Sequence, residues 1–179
     1  MPVLIGIGGA HSGSGKTLIG SAVMRAMGPG WGAIKCTPTE LYSSVVSDPH
    51  ILRQPGKDTS RYIEAGAEQA LWVQGPREEL AESLDIALGR LAGLSGVVVE
   101  GNAAIELLKP DIVIFIVGEP GRMKPGAPSV MEMADVVIYS EGPPEVPPAG
   151  ALVFGLGDED SYIAHIKGAV ARMVHERHA

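Results

Sequence analysis

The stretch Ala10-His11-Ser12-Gly13-Ser14-Gly15-Lys16-Thr17 combines flexible backbone, small hydroxyl side chains and a cation in a short span. That mixture suits one task above others, which is cradling a polyphosphate. Gly13 and Gly15 let the chain curl until its N–H groups point inward at phosphate oxygens. Lys16 can neutralise the β- and γ-phosphates, and the Thr17 hydroxyl can ligate Mg²⁺. Ser12, Gly13, Ser14, Gly15, Lys16, Thr17 and Leu18 are therefore the candidate nucleotide-binding residues, with Lys16 also the candidate catalytic cation. The pattern is that of a Walker A loop with one departure, Ala10 in place of its first glycine. Alanine fits there if its φ stays negative, and Gly9 supplies slack. His11 is read either as a contact to the γ-phosphate or a second ligand, or as a solvent-facing spacer.

A phosphate loop needs a carboxylate on a neighbouring strand to hold the metal, directly or through water. Val97-Val98-Val99-Glu100-Gly101-Asn102 offers one, because three apolar residues end in an acid at a strand's carboxyl edge. Asp48, in a long polar segment, is the second candidate for a catalytic or metal role. The alternative is that Asp48-Pro49 only forms an Asx turn. The expected metal set is thus Thr17, Glu100 and Asp48, and the catalytic set is Lys16, Glu100 and Asp48. Asp111 begins its strand, on the wrong edge, and reads as a turn or capping residue. Pro55-Gly56-Lys57-Asp58-Thr59-Ser60-Arg61 brings two cations to a helix start. It reads as a site for a second anion, built from Lys35, Lys57, Asp58 and Arg61, or else as a capped helix with solvated charges.

These groups need a frame, and the apolar pattern supplies it. Val3–Gly8 reads as a strand and Lys16–Met27 as an amphipathic helix. Trp31–Cys36 is a second strand, followed by a long loop over 37–57. A helix over Asp58–Ala65, capped by Asp58, leads to a strand at Glu68–Val73. Pro76–Leu91 reads as a helix with Pro76 in its first turn and Leu80, Leu84, Leu88 and Leu91 on one face. Gly96–Val99 and Ile112–Val117 are apolar on both faces, the mark of a covered parallel sheet. Ser129–Ala134 is a short helix, Val136–Tyr139 and Ala151–Phe154 are strands, and Asp160–His175 is the last helix. The expected fold is α/β, a three-layer sandwich with a mostly parallel central sheet and helices on both faces, as in P-loop NTPases. One domain is expected over residues 1–179.

Composition narrows the function further. Asp+Glu outnumber Lys+Arg 21 to 14, a net charge of −7, which does not suit a nucleic-acid or anionic-membrane binder. The single cysteine, Cys36, rules out a disulfide framework or a thiolate-cluster zinc site and reads as a small buried hydrophobe at the site edge. His165, His175 and His178 read as surface residues. No apolar run has the length of a membrane span and no basic leader precedes the first strand, so the cytosol is the expected compartment.

Together, HSGSGKT (His11–Thr17), Ile34-Lys35, PGKDTSR (Pro55–Arg61), EAGA (Glu64–Ala67) and VVVEG (Val97–Gly101) resemble the MobB family of molybdopterin guanine dinucleotide synthesis. The resemblance covers about the first 101 residues. It implies a GTP-binding, Mg²⁺-dependent accessory protein or slow NTPase, usually dimeric, that partners a molybdopterin guanylyltransferase. Carried over by position, Gly13, Gly15, Lys16, Thr17, Asp58, Arg61 and Glu100 are the implied functional residues. Cys36 replaces the histidine that commonly follows the strand-two lysine. Tyr139-Ser140-Glu141 stands where a guanine-reading N-K-x-D is expected, so the base, GTP or ATP, stays open. The alternative is a small-molecule kinase or ATP-dependent ligase similar to dethiobiotin synthetase. A metallochaperone GTPase, which needs a Cys/His cluster, ranks last.

Overall fold

The computed structural model describes Met1–His178. Eight strands form one sheet in the order β3-β4-β2-β5-β1-β6-β7-β8. In chain order the strands are β1 Val3–Gly9, β2 Trp31–Pro38, β3 Ser44–Val46, β4 Gln69–Gly75, β5 Gly96–Glu100, β6 Ile112–Val117, β7 Val136–Tyr139 and β8 Leu152–Gly155. All pairs are parallel except β3 with β4. The helices are α1 Lys16–Met27, α2 Pro49–Leu52, α3 Asp58–Glu64, α4 Leu80–Arg90, α5 Asn102–Leu108, α6 Ala127–Glu132 and α7 Glu159–His178.

Strict alternation along the strands separates two cores. Ile5 and Ile7 of β1, Ala33 of β2, Val98 of β5 and Ile114 of β6 pack against Ile19, Val23, Tyr62 and Ile166 from α1, α3 and α7. On the opposite face Ile34, Cys36, Val97 and Val99 meet Leu80, Leu84 and Ala87 of α4. Val113 and Phe115 meet Ile105 of α5 and Val130 of α6 there. The sheet is thus covered on both sides, as its continuous apolar strands require. The three-layer, mostly parallel architecture is the one expected.

Four local readings change. The segment 37–57 is no bare loop, because it holds β3 and α2. Strand β3 was hidden because its SVV run is too short to show a period. Helix α5 directly follows β5 with only Gly101 between them, at φ 142, so no turn cluster announces it. Helix α4 starts at Leu80, after a turn over residues 77–79, so Pro76 lies outside it. Asp58 does not cap α3: Lys57 holds the cap position, and Asp58, the first helical residue, points its carboxylate elsewhere.

Candidate functional site

Strand β1 ends in the phosphate loop at the carboxyl edge of the sheet, fifth of the eight strands across. Gly13 and Gly15 have φ of 82° and 98°, which an L side chain resists. Ala10 is not among the positive-φ residues, so alanine is accommodated there, buried in the α5/α6 core. The tighter position is its neighbour: a Cβ on Gly9 would crowd Ser14 Oγ and the Lys16 methylenes. Helix α1 carries no acid in its first turn, so nothing there competes with an anion for its free N–H groups. Lys16 Nζ donates to His11 O at 2.8 Å and folds back over its own loop. Burial and the charge of Lys124 lower its pKa below the usual lysine value.

Glu100 is the hub of the site. It ends β5 on the α1/α3 face and is 1% exposed. Its Oε2 accepts from Thr17 Oγ1 at 3.0 Å and from Tyr62 OH at 2.9 Å. Its Oε1 meets Lys35 Nζ at 2.5 Å, and the same ammonium lies 2.6 Å from Asp58 Oδ2. Burial works to depress Lys35, but the Glu100 charge and the Asp58 hydrogen bond outweigh it and hold its pKa above the ordinary value. Burial likewise works to raise Asp58, and the Lys35 bond and charge leave it lowered. Burial and the adjacent Glu100 push the Tyr62 hydroxyl far up, so it stays a donor.

Two clefts open around this hub. One, of about 270 Å³, is lined by Ser12, Gly13, Gly15, Lys16, Thr17, Leu18, Lys35, Asp58, Arg61 and Glu100. The other, of about 230 Å³, is lined by Lys35, Thr37, Gly56, Lys57, Asp58, Thr59 and Trp72. Lys57 Nζ sits 4.7 Å from the Trp72 ring centroid. The two cations of the PGKDTSR segment thus serve different spaces, Arg61 the first cleft and Lys57 the second. Ser14 is buried behind the loop.

Asp48 is not brought to the site. Strand β3 runs antiparallel to β4, carrying the chain toward the opposite sheet edge. There Asp48 caps α2, accepting from His50 N at 2.8 Å. Cys36 faces the other core, against the α4 side, and burial pushes its thiol to about 11. Asp111 accepts from Leu4 N and pairs with Arg177, a structural role at the far edge. His165 is half-buried beside Phe154, His175 is exposed, and the side chain of His178 lies outside the described residues.

Three residues take positioning roles that the sequence does not disclose, and for His11 the structure replaces both the ligand-contact and the solvent-facing readings. His11 is buried: its Nδ1 lies 2.8 Å from Ser12 O, and its Nε2 accepts from Glu119 N–H at 3.0 Å. The imidazole therefore links the phosphate loop to the segment after β6, and Gly118 leaves it room. Asn102 holds Gly9 by two hydrogen bonds, to its N–H and its C=O. Tyr62 reaches Glu100 because Gly20 has no Cβ, which would lie 2.1 Å from the hydroxyl. Asn102 only closes the run that carries Glu100, with no role of its own in the sequence, and apolar spacing alone places Tyr62 only in a core.

A Mg²⁺ ion asks for hard oxygens, few of them from protein when phosphates supply the rest. Thr17 and the buried Glu100 carboxylate, 3.0 Å apart, fit that demand, with Asp58 one ammonium away. Among the described residues no group of three or more His, Cys, Asp or Glu side chains is placed to hold a metal by protein alone.

A Gly-rich loop between a central parallel strand and a helix, faced by a buried strand-end carboxylate, defines a phosphate-loop α/β protein. Its fold is MobB-like. The X-ray structure of a MobB protein homologue from Bacillus stearothermophilus matches 94% of this chain and 98% of that chain at TM-score 0.52 and 21% identity. A nucleotide-binding protein in complex with ADP from Archaeoglobus fulgidus is more distant, at TM-score 0.40 and 14% identity, covering 92% of this chain and 78% of that one. No protein-family profile and no curated protein matches the chain. No helix among the described residues is long and apolar enough to cross a membrane.

Proposed function

We propose that the protein is a Mg²⁺-dependent nucleoside triphosphate-binding accessory protein, with GTP the first candidate and ATP the second. The observation that carries this is Glu100: a buried carboxylate at the carboxyl end of β5 accepts the hydroxyl of the phosphate-loop threonine, where a loop-bound metal would sit. In this reading the loop N–H groups and Lys16 hold the β- and γ-phosphates, while Thr17 and Glu100 hold the metal. Mg²⁺ when bound neutralises charge on the phosphates. Tyr62 keeps the carboxylate oriented, and His11 and Asn102 keep the loop in shape. Asp48 caps α2 and does not line the phosphate-loop cleft, so it takes no catalytic part in this reading, and hydrolysis is read as slow. The MobB-like fold extends the proposal to work beside a molybdopterin guanylyltransferase, as a cytosolic homodimer.

The adjoining cleft favours a second reading, a small-molecule kinase or ATP-dependent ligase. Lys35 and Lys57 there suit an acidic acceptor within reach of the nucleotide. Calorimetry with GTP, ATP and CTP, each with and without Mg²⁺, tests the nucleotide reading. Saturable, Mg²⁺-enhanced binding that weakens selectively in Glu100→Gln is expected. No binding of any triphosphate overturns it. Rapid turnover with one small acceptor selects the enzyme reading over the accessory one.

A further inference from the structure

The Lys35 ammonium is a cation already sitting where the site wants one. It lies 2.5 Å from Glu100 Oε1 and 2.6 Å from Asp58 Oδ2, while Glu100's other oxygen takes the Thr17 hydroxyl. A divalent ion held by Thr17 and Glu100 and this ammonium are in direct competition, since like charges a few ångströms apart in a partly buried site repel strongly. Lys35 also has somewhere to go. On β2 it stands in register with Glu100 of β5 on one side and Trp72 of β4 on the other. Glu100 lines the phosphate-loop cleft and Trp72 the adjoining one, and Lys35 with Asp58 lines both. A long, flexible side chain on the strand between two clefts can lean into either.

We propose that Lys35 is a movable counter-ion that couples the two clefts. With no divalent ion present, it neutralises Glu100 and Asp58. When the metal–nucleotide occupies the phosphate loop, Lys35 leaves Glu100 and turns toward Thr37, Lys57 and Trp72. The second cleft then holds two cations, and its capacity for a small phosphate- or carboxylate-bearing ligand appears only after the nucleotide is in place. Ordered binding follows from one side chain changing partners. This rests on the phosphate-loop reading, while the competition between Lys35 and a divalent ion for Glu100 is already present in the nucleotide-free protein.

The test is Mn²⁺ binding to nucleotide-free protein, followed by the paramagnetic resonance of the free ion. Lys35→Met should bind Mn²⁺ about tenfold or more tighter than wild type, the scale of a coupling between competing ligands. Lys35→Arg, which keeps the charge, should stay near wild type. Equal Mn²⁺ affinity in wild type and Lys35→Met overturns the proposal. If Lys35→Met fails to fold, acylation of wild-type lysines read by mass spectrometry decides instead. Lys35 labelling should rise with Mg²⁺ and triphosphate together but not with triphosphate in chelator, and unchanged labelling overturns the exchange. Absence of triphosphate binding altogether refutes the nucleotide reading and leaves the Mn²⁺ comparison standing.

Discussion

Removing one oxygen atom at Tyr62 isolates the support of the hub. The Tyr62 ring is fully buried and its hydroxyl donates to Glu100 Oε2 at 2.9 Å, in space kept open by Gly20. Tyr62→Phe deletes a buried hydrogen bond to a carboxylate, worth about 1.5–3 kcal/mol. Thr17 and Lys35 remain on Glu100, so the carboxylate is not abandoned and a loss of about 2 kcal/mol is expected. For a chain of this size that corresponds to a fall in Tm of roughly 4–8 °C. Urea unfolding followed by circular dichroism should show a lower midpoint at unchanged slope. In a Glu100→Gln background the same substitution should cost markedly less, because the coupling runs through the charge. A change within about 0.5 kcal/mol, the range of an ordinary surface substitution, refutes the argument that Tyr62 supports Glu100.

Lys16→Ala should weaken triphosphate binding by about tenfold or more in calorimetry, with Tm nearly unchanged, because its contact to phosphate is charge-assisted. The depressed Lys16 pKa sets the sign of the pH effect. Wild-type affinity should fall as pH rises toward 10.5, earlier than for an ordinary lysine, and binding there should take up protons. Over the same window the nucleotide-free protein gains stability from this group, since the unfolded chain holds the extra proton. Cys36, buried with its thiol at about 11, should react with a disulfide reagent at pH 8 only after urea unfolding, and rapid native labelling would contradict its placement.

The frame of this molecule could be read in the residues because its signals are local. Val97 to Val99 announce a covered strand, Leu80 and Leu84 a helix face, and His11–Thr17 a phosphate cradle, each within a few positions. The hub is half legible: topology pairs Thr17 with Glu100, while Lys35 and Asp58 group only as parts of a second-anion site and not as an ion pair with each other and with Glu100. What escaped depends on register across the sheet. That Lys35 reaches both Glu100 and Asp58 follows from which strand lies beside β2, which no spacing encodes. For Asp48 the structure selects the Asx-turn reading over the metal one, because three residues of antiparallel strand reverse the direction of the chain before it. His11 was left open because its partner, Glu119, lies 108 positions away.

The position of β3 has a consequence for how the molecule breathes. It is a three-residue strand at the margin of the sheet, with one neighbour, β4. Amide protons there should exchange with solvent early, in small openings that need not involve the rest of the fold. Strands β1, β5 and β2 are flanked on both sides, so the amide protons of their ladders should persist until the whole sheet opens. Trp72 lies on the strand directly behind that margin. The wall of the second cleft can therefore loosen and re-form many times while the strands beneath the phosphate loop keep their protons, and the two halves of the site live on different clocks.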